Sequence, residues 1–256
     1  PRKGEAALRT GDITKYIKEN SSEIALIMLG GVNYYTGQVF DMQKITKAAK
    51  ENKIIVGFDL AHAAGNIKLA LHEWGVDFAV WCSYKYLNSG PGSVGGVFIH
   101  EKHHEKSIPR FAGWWGHDKD SRFKMPDKFI PINTAEGWQL SNPPILSLAA
   151  VRASLSLFDE VGMENLIDKS KKLTSYLVFL MENLSSNRIS IITPGERGCQ
   201  ISIRVLNGNK QLFDEITTRG VIADWREPDV IRVAPVPLYN SYMDVFNFYK
   251  ILEDIL

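Results

Sequence analysis

Three short, almost wholly apolar segments alternate with helical patterns in the first third of the chain. They are EIALIML at 23–29, KIIVGF at 53–58 and VDFAVWC at 76–82. Between the first two lies DMQKITKAAKEN at 41–52, whose apolar residues recur at helical spacing. Strands without polar alternation are typical of parallel sheets covered on both faces, and helices connect parallel strands. The pattern therefore predicts an α/β fold with a mostly parallel sheet.

The rest of the chain is predicted to hold a loop-rich stretch and a second, smaller α/β unit. Residues 101–141 are rich in aromatic and charged side chains and predict loops and short elements. Asn142-Pro143-Pro144 is expected to open a long helix, because proline suits the first helical turn, and another helix follows Gly162. Beyond these we expect strands near 188–193, 199–205, 221–223 and 229–234, a helix from 210 and a last helix from about 241.

Two aspartates are predicted to start helices, since a carboxylate at the N-cap accepts a hydrogen bond from a free backbone N–H. They are Asp12, before a short N-terminal helix, and Asp41, before the helix at 41–52. We place the domain boundary after residue 158, which gives a larger unit at 1–158 and a smaller one at 159–256.

Charge and composition disfavour several classes of partner. The 256 residues carry 30 Lys and Arg against 29 Asp and Glu, so we expect neither nucleic acid nor a membrane as partner. No apolar run approaches the ~20 residues of a membrane span, and the polar start PRKGEAALRT does not read as a signal peptide. Cys82 and Cys199, predicted to lie in strands, have no C-x-x-C partner and indicate reduced thiols in a cytoplasmic protein. Because the chain begins without methionine, we expect it to be either part of a longer protein or a natural short form.

A glycine motif follows the third apolar segment. Gly90, Gly92 and Gly95 satisfy the dinucleotide pattern G-x-G-x-x-G. A dinucleotide site needs a helix after the glycines, whereas here the β-branched segment VGGVFI follows. We therefore predict that the glycines form a turn between two strands.

A metal motif comes next. His100, Glu101 and His104 satisfy the zinc-protease pattern H-E-x-x-H. Zinc binding there requires both histidines on one face of a stable helix, and HEKHH lacks the apolar spacing that would bury such a helix. We predict a charged turn and no metal site.

Lys85 and Asp59 form a more informative pair. Each follows an apolar strand, and in open α/β sheets ligands bind in the crevice at the carboxyl ends of strands. Pyridoxal phosphate chemistry needs a lysine that holds the cofactor as a Schiff base and a carboxylate that keeps the pyridine nitrogen protonated. Taken alone, Lys85 could be solvated and Asp59 could cap a helix.

The segments GFDLAHAAGN and DFAVWCSYKYLN resemble the kynureninase family, and most closely its eukaryotic members. The resemblance extends along the chain through GVNYYTGQ, GWWGH, RFKM, SNPPIL, RGCQ and IRVAPVPLYNS. It implies a fold-type-I, transferase-like architecture that depends on pyridoxal phosphate. Residues 1–158 would be the C-terminal part of the large cofactor-binding domain, with its mostly parallel sheet, and 159–256 the small α/β domain. The family's N-terminal portion is not found here, which implies an incomplete pocket, exposed apolar sheet surface and an inactive chain when these residues stand alone.

The resemblance implies hydrolysis of L-kynurenine or 3-hydroxy-L-kynurenine to L-alanine and anthranilate or 3-hydroxyanthranilate, in tryptophan catabolism and NAD biosynthesis. Lys85 would bind the cofactor and move protons, and Asp59 would pair with the pyridine nitrogen. His62 would lie beside the cofactor, although a purely structural histidine is an alternative. Tyr84 would donate to the cofactor phosphate and serve as acid or base.

Two further positions are implied to come from the neighbouring subunit of a homodimer. Trp114 and Asn142 would bind the phosphate end of the cofactor across shared active sites. Alternatives are a packed aromatic for Trp114 and a helix N-cap for Asn142. Ser141 and Asn142 would contact the ring substituent of the substrate, which favours 3-hydroxykynurenine.

Three positions remain. Arg232 would bind the substrate α-carboxylate, unless it is an arginine that faces water on an edge strand. The resemblance implies that Trp115 lies in the substrate pocket, where the family usually has a smaller aromatic residue. It implies that Gly30 lies near the cofactor, where the family usually has a small hydroxyl residue.

Two other functions stay open. A cysteine desulfurase or selenocysteine lyase would use the same aspartate and lysine with a reactive loop cysteine, and both cysteines are predicted in strands. A catalytically incomplete paralogue that acts as a binding protein is the second alternative.

Overall fold

The computed structural model describes residues 1–104, 108–206 and 210–256. Part of the predicted loop at 101–141, namely 105–107, therefore lies outside the described residues. Within these ranges, no helix combines the length and apolar character needed to cross a membrane.

The first sheet contains four strands in the order β1-β2-β3-β4. Strands β1 (Leu26–Gly30), β2 (Ile55–Asp59) and β3 (Phe78–Trp81) run parallel, and β4 (Gly96–Ile99) pairs antiparallel with β3. The prediction of an α/β fold with a mostly parallel sheet is confirmed. The glycine motif lies in the connection between β3 and β4, where Gly90 and Gly92 both have a φ of 78°. This backbone conformation favours glycine, and no helix follows, as the turn interpretation requires.

Helices α1 (Thr10–Glu19), α2 (Met42–Glu51) and the short α3 (Leu71–Trp74) accompany this sheet. Asp41 caps α2 by accepting a hydrogen bond from Lys44 N at 3.0 Å, as predicted. The N-cap of α1 is Arg9, so the prediction for Asp12 is wrong. Asp12 lies in the first turn, where its carboxylate forms an ion pair with Arg2.

Only one face of the first sheet is buried. Ile27, Val56, Phe58 and Ala79 point into a core that α1 and α2 cover. The paired residues on the opposite face are exposed; these are Leu26, Met28, Ile55, Val80 and Val97. The expectation of a sheet covered on both faces is wrong for this chain. The apolar strand pattern instead leaves apolar sheet surface exposed.

Within its described residues, the long connection after β4 contains four 3₁₀ turns, at Glu101–His103, Trp114–Gly116, Arg122–Lys124 and Ala135–Trp138. It ends at α4 (Ile145–Val161), which is followed after Gly162 by α5 (Met163–Glu182). The predicted loop-rich stretch and the two long helices are present.

The second sheet is antiparallel and has the strand order β5-β6-β8-β7. Its strands are β5 (Ile189–Ile191), β6 (Ile201–Val205), β7 (Asp224–Arg226) and β8 (Val230–Val233), and its helices are α6 (Gln211–Thr218) and α7 (Tyr242–Ile255). The strand expected near 221–223 lies a few residues later, and Ile222 is fully exposed. Side chains of α5, α6 and α7 pack on β6 and β8 in a second core. The domain boundary after residue 158 stays a prediction.

Candidate active site

Lys85 and His62 meet at the carboxyl edge of the parallel strands. Lys85 lies beyond the end of β3 and His62 just beyond β2. Lys85 Nζ is 3.2 Å from His62 Nε2 and 5.7 Å from the centre of the Tyr84 ring. The strands thus bring a primary amine and an imidazole into direct contact in the crevice where α/β sheets bind ligands.

The charge state of His62 follows from its surroundings. Burial, together with the cations of Lys85 and Arg232, lowers the pKa of His62 from 6.5 to about 4, and the Asp59 carboxylate opposes this shift only in part. The imidazole is therefore neutral at neutral pH, with its Nε2 within hydrogen-bond distance of Lys85 Nζ. The other ring nitrogen, Nδ1, is buried without a partner among the described residues.

Asp59 and Gly30 lie side by side on neighbouring strands. They are paired in the β1–β2 register, and Gly31 N donates to Asp59 O at 2.8 Å. Asp59 Oδ1 accepts from Ala61 N at 2.8 Å, which fixes the carboxylate at the strand end while its side chain stays exposed. Both residues belong to the exposed face of the first sheet. A negative charge thus stands at the same sheet edge as Lys85.

Tyr84 is exposed, and its hydroxyl interacts with the thiol of Cys82. The pKa of the Tyr84 hydroxyl is raised above its ordinary value of 10.0, and the neighbouring Cys82 contributes most to this shift. Cys82 follows the last residue of β3 and is half-buried, while Cys199 is buried just before β6. The expectation that both cysteines lie within strands is therefore wrong, since both flank strand ends.

Arg232 is held on a central strand. Its strand β8 lies between β6 and β7, so the interpretation of an edge-strand arginine is wrong. The side chain is 11% exposed. Its guanidinium donates to Tyr34 O through Nη1 and pairs through Nη2 with Asp224, the residue opposite it on β7. The largely buried guanidinium is therefore neutralised by a carboxylate of the protein itself, that of Asp224.

The loop residues form a separate group. Trp114 Nε1 donates to Asn142 Oδ1 at 3.0 Å, and the Trp114 ring packs against Trp115 and Phe123 with centroids 5.7 and 5.3 Å apart. Pro144 is the N-cap of α4, so the alternative interpretation of Asn142 as a helix cap is wrong. Ser141 is exposed in the same loop.

The candidate residues therefore divide into two groups. The inner group contains Gly30, Asp59, His62, Tyr84, Lys85 and Arg232, and the outer group contains Trp114, Trp115, Ser141 and Asn142. Within the described ranges, no hydrogen bond, ion pair or ring contact joins the two groups.

The H-E-x-x-H residues do not share a helix face. His100 stacks on His72 with ring centroids 4.8 Å apart, and its Nδ1 accepts from Lys102 N. His104 Nε2 lies 3.1 Å from Ile99 O. In the part of the chain that the structure describes, no cluster of three His, Cys, Asp or Glu side chains has metal-binding geometry.

Sequence reasoning missed the residues that hold Arg232. Tyr34 of the GVNYYTGQ loop and Asp224 of β7 bond to it directly, and Gln200 of RGCQ bonds to the same Tyr34 carbonyl. Two of these motifs contributed to the resemblance, but nothing in their residue types indicated that they meet in space.

Comparison with known sequences gives one family match and many similar proteins. Residues 166–252 match the family model described as Kynureninase C-terminal domain. The chain is 56% identical over 254 residues to a kynureninase from Koribacter versatilis and 56% identical over 257 residues to one from Myxococcus xanthus. These matches span 98% and 99% of the chain but 60% of each relative. Both relatives are bacterial, so the expected closeness to eukaryotic members gains no support from them.

Similar solved structures share the fold at low identity. An apo cysteine desulfurase from Thermococcus onnurineus has a TM-score of 0.79 at 17% identity, with 98% of this chain and 64% of that chain covered. A mutant of C-DES with glycine covalently linked to its PLP cofactor has a TM-score of 0.80 at 17% identity, with 98% and 64% covered. The architecture is that of fold-type-I PLP enzymes, as expected from the resemblance.

Proposed function

Because the chain belongs to the kynureninase family, we propose that it provides the cofactor- and substrate-binding residues of an enzyme that hydrolyses L-kynurenine or 3-hydroxy-L-kynurenine. The products would be L-alanine and anthranilate or 3-hydroxyanthranilate, in tryptophan catabolism and NAD biosynthesis within the cytoplasm. The observation that supports this most strongly is the convergence of the inner group. A lysine amine, a neutral imidazole and a carboxylate gather at one sheet edge, and the Arg232 cation acts on the same imidazole.

The inner group suits pyridoxal phosphate chemically. Lys85 would hold it through its amine, Asp59 would pair with the pyridine nitrogen, and Tyr84 would donate to the phosphate. When bound, the cofactor supplies an electron sink for the electron pair released at the substrate α-carbon. The buried, unpartnered Nδ1 of His62 is a polar atom that a ligand in this crevice would satisfy.

Proton movements fall to the chain's own side chains. Lys85 Nζ would carry the proton from the α-carbon once the substrate amine has replaced it. His62 holds the lysine in place and does not store that proton, because its pKa of about 4 makes it a weak base. Tyr84 would serve as the acid or base for the water that adds to the ketone. Arg232 would bind the α-carboxylate of the substrate, with Asp224 keeping the guanidinium in position.

The outer group would act in the neighbouring subunit of a homodimer. In that role Trp114 and Asn142 contact the cofactor phosphate, Ser141 and Asn142 the ring substituent, and Trp115 the substrate pocket. What supports this proposal is the exposed apolar surface around them, contributed by Phe111, Phe123, Met125, Ile145 and Leu146. Sedimentation at graded concentrations should give a dimer, and a monomer throughout would exclude shared sites.

The proposed activity is tested with the natural protein that contains this chain. After addition of pyridoxal phosphate, separate incubations receive L-kynurenine, 3-hydroxy-L-kynurenine or L-cysteine, and the products are separated by chromatography. Alanine with an aromatic amino acid is expected from the first two substrates. Alanine formed from cysteine, with its sulfur left as a persulfide that an added thiol reductant releases as sulfide, would instead indicate a desulfurase, with Cys82 as its candidate nucleophile. Cofactor binding without any turnover would indicate a binding protein.

We further propose that these 256 residues alone bind the cofactor weakly and lack turnover. The exposed sheet face supports this, because Asp59 and Gly30 lie on it beside Met28 and Val80. A cofactor bound there would remain largely in water, which weakens every polar contact to it. Robust kynurenine hydrolysis by the isolated 256 residues would contradict the proposal.

A further inference from the structure

Gln200 is a buried amide at the seam between the two sheets. Its side chain is 2% exposed, and each of its polar atoms has a partner. Nε2 donates to Tyr34 O and to Ser202 Oγ, both at 3.1 Å, and Oε1 lies 3.4 Å from the Tyr86 hydroxyl. Gln200 itself precedes β6 of the second sheet, whereas Tyr34 and Tyr86 follow strands of the first.

The first arm of this contact leads to Arg232. Tyr34 O accepts from Gln200 Nε2 and also from Arg232 Nη1. The Tyr34 carbonyl therefore accepts two hydrogen bonds. By holding this oxygen in place, Gln200 also fixes the acceptor that orients the Arg232 guanidinium. Ser202 Oγ, bound to the same amide, donates to Tyr35 O at 2.6 Å, which anchors the next peptide of the loop.

The second arm leads toward Lys85. The ring of Tyr86 contacts the ring of His62 edge to face, with centroids 5.9 Å apart. His62 Nε2 in turn lies 3.2 Å from Lys85 Nζ. Gln200 is thus connected to Arg232 through Tyr34 and to Lys85 through Tyr86 and His62.

We propose that Gln200 is a positioning residue that sets the place of Arg232 relative to Lys85, and so the affinity for the substrate carboxylate. This rests on the proposed function, in which the two residues hold opposite ends of one amino acid. They stand on different sheets, so a fixed distance between them needs a rigid link across the seam. Small displacements of a positioning group are costly in catalysis. An amide can donate to Tyr34 O and accept from Tyr86 at the same time, whereas an ionised carboxylate of the same size can only accept.

The test uses the intact natural protein with four variants. Gln200→Leu removes the hydrogen bonds to Tyr34 O and to the Tyr86 hydroxyl. Gln200→Glu removes the donor to Tyr34 O but keeps an acceptor for Tyr86. Tyr86→Phe removes only the hydroxyl that donates to Gln200 Oε1. Gln38→Leu is the matched control, because Gln38 is a buried amide of the same size on the Tyr34 loop that bonds to Leu8 instead.

Two measurements are made. In the cofactor-free protein, phenylglyoxal modification of Arg232 is followed by peptide mass spectrometry. In the cofactor-loaded protein, L-alanine is titrated through its absorbance change, and KM and kcat for kynurenine are determined. Both Gln200 variants are expected to increase Arg232 modification and to raise the alanine Kd and the kynurenine KM about fivefold, as loss of one buried hydrogen bond implies. Their kcat is expected to change less than their KM.

Gln38→Leu should leave Arg232 modification and the alanine Kd as in wild type. Tyr86→Phe should leave Arg232 modification as in wild type, because the bond to Tyr34 O is intact, and should raise the alanine Kd less than the Gln200 variants do, because only the contact toward Lys85 is lost. Gln200 variants that match wild type in both measurements, or a Gln38→Leu effect equal to that of Gln200→Leu, would overturn the proposal. If Gln200→Leu does not fold, the near-isosteric Gln200→Glu decides. Wild-type protein that shows no response to alanine or kynurenine would refute the proposed function, whereas Arg232 reactivity without cofactor would still test the role of Gln200.

Discussion

The inner and outer groups of candidate residues are held by different kinds of interaction. Arg232 in the inner group is held by Asp224 on the neighbouring strand and by the Tyr34 carbonyl, which also accepts from the buried Gln200. In the outer group, Trp114 is 43% exposed and depends on one hydrogen bond and on ring contacts within its own loop. The inner group is thus organised by this chain's own tertiary structure. The outer group lies instead among exposed apolar side chains such as Phe123 and Met125.

The largest effect is expected at Lys85. Lys85→Ala should abolish the absorbance band of the bound cofactor and reduce kynurenine turnover by about 10³-fold or more, since both attachment and proton transfer are lost. The measurement is an absorbance spectrum with a steady-state assay. Lys68→Ala, at an exposed lysine of the same domain, is the control. Retention of band and turnover in Lys85→Ala would remove the inner group from the mechanism.

Arg232 is expected to show the next largest effect. Arg232→Lys keeps the charge but loses the planar fork, so the KM for kynurenine should rise roughly 10- to 100-fold with a smaller change in kcat. Arg226→Lys is the matched control, because Arg226 also pairs with Asp224 but is more exposed. Equal effects of the two substitutions would show that Asp224, and not the substrate, is the important partner of Arg232.

The contact between the two sheets that supports the inner group can be weakened by a substitution at Gly198. A Cβ there would lie 2.3 Å from the Asn66 side chain, whose Oδ1 accepts from Cys199 N. Gly198→Ala should lower the free energy of unfolding by about 1–3 kcal/mol through overpacking. Urea denaturation measures this. Gly195→Ala, where no atom lies within 4 Å of the added carbon, should change stability little.

Subunit mixing tests the outer group. Lys85→Ala and Trp114→Ala proteins are each expected to be impaired, and when mixed after mild dissociation they should regain about a quarter of the wild-type activity, because half of the dimers are hybrids with one intact shared site. If the sites are complete within one subunit, the mixture will give only the mean of the two variants.

The smallest effect concerns acidification. His62 has a pKa of about 4 in the folded chain against 6.5 ordinarily, so the unfolded chain binds more protons between these values. The contribution of His62 to stability is complete above about pH 6.5 and is lost as the pH falls toward 4. The urea midpoint should therefore fall less between pH 7 and 5 in His62→Gln than in wild type. His72→Gln, at an exposed histidine, controls for the loss of an imidazole. Parallel pH profiles for wild type and His62→Gln would contradict the burial argument.

The sequence predicted the inner group better than its surroundings. Lys85 and Asp59 could be paired because each follows an apolar strand, and parallel strands end at one edge. The partners of Arg232 could not be predicted from the sequence. Asp224 faces Arg232 only because β7 pairs antiparallel with β8, and Gln200 reaches the Tyr34 loop only because the two sheets pack together. The strand pattern by itself also predicted a buried sheet face where Leu26 and Met28 are exposed, whereas the resemblance, with its missing N-terminal portion, implied this exposed apolar surface.

By itself, the sequence determined the α/β architecture, the strand ends that carry Lys85 and Asp59, and the family. These depend on local periodicity and on short motifs, which adjacent residues encode. Only the tertiary structure decided that His62 contacts Lys85 and is neutral, that Arg232 is paired with Asp224, and that Gln200 joins the two sheets. Such contacts connect residues distant in the chain, and they arise from packing and burial that no local pattern specifies.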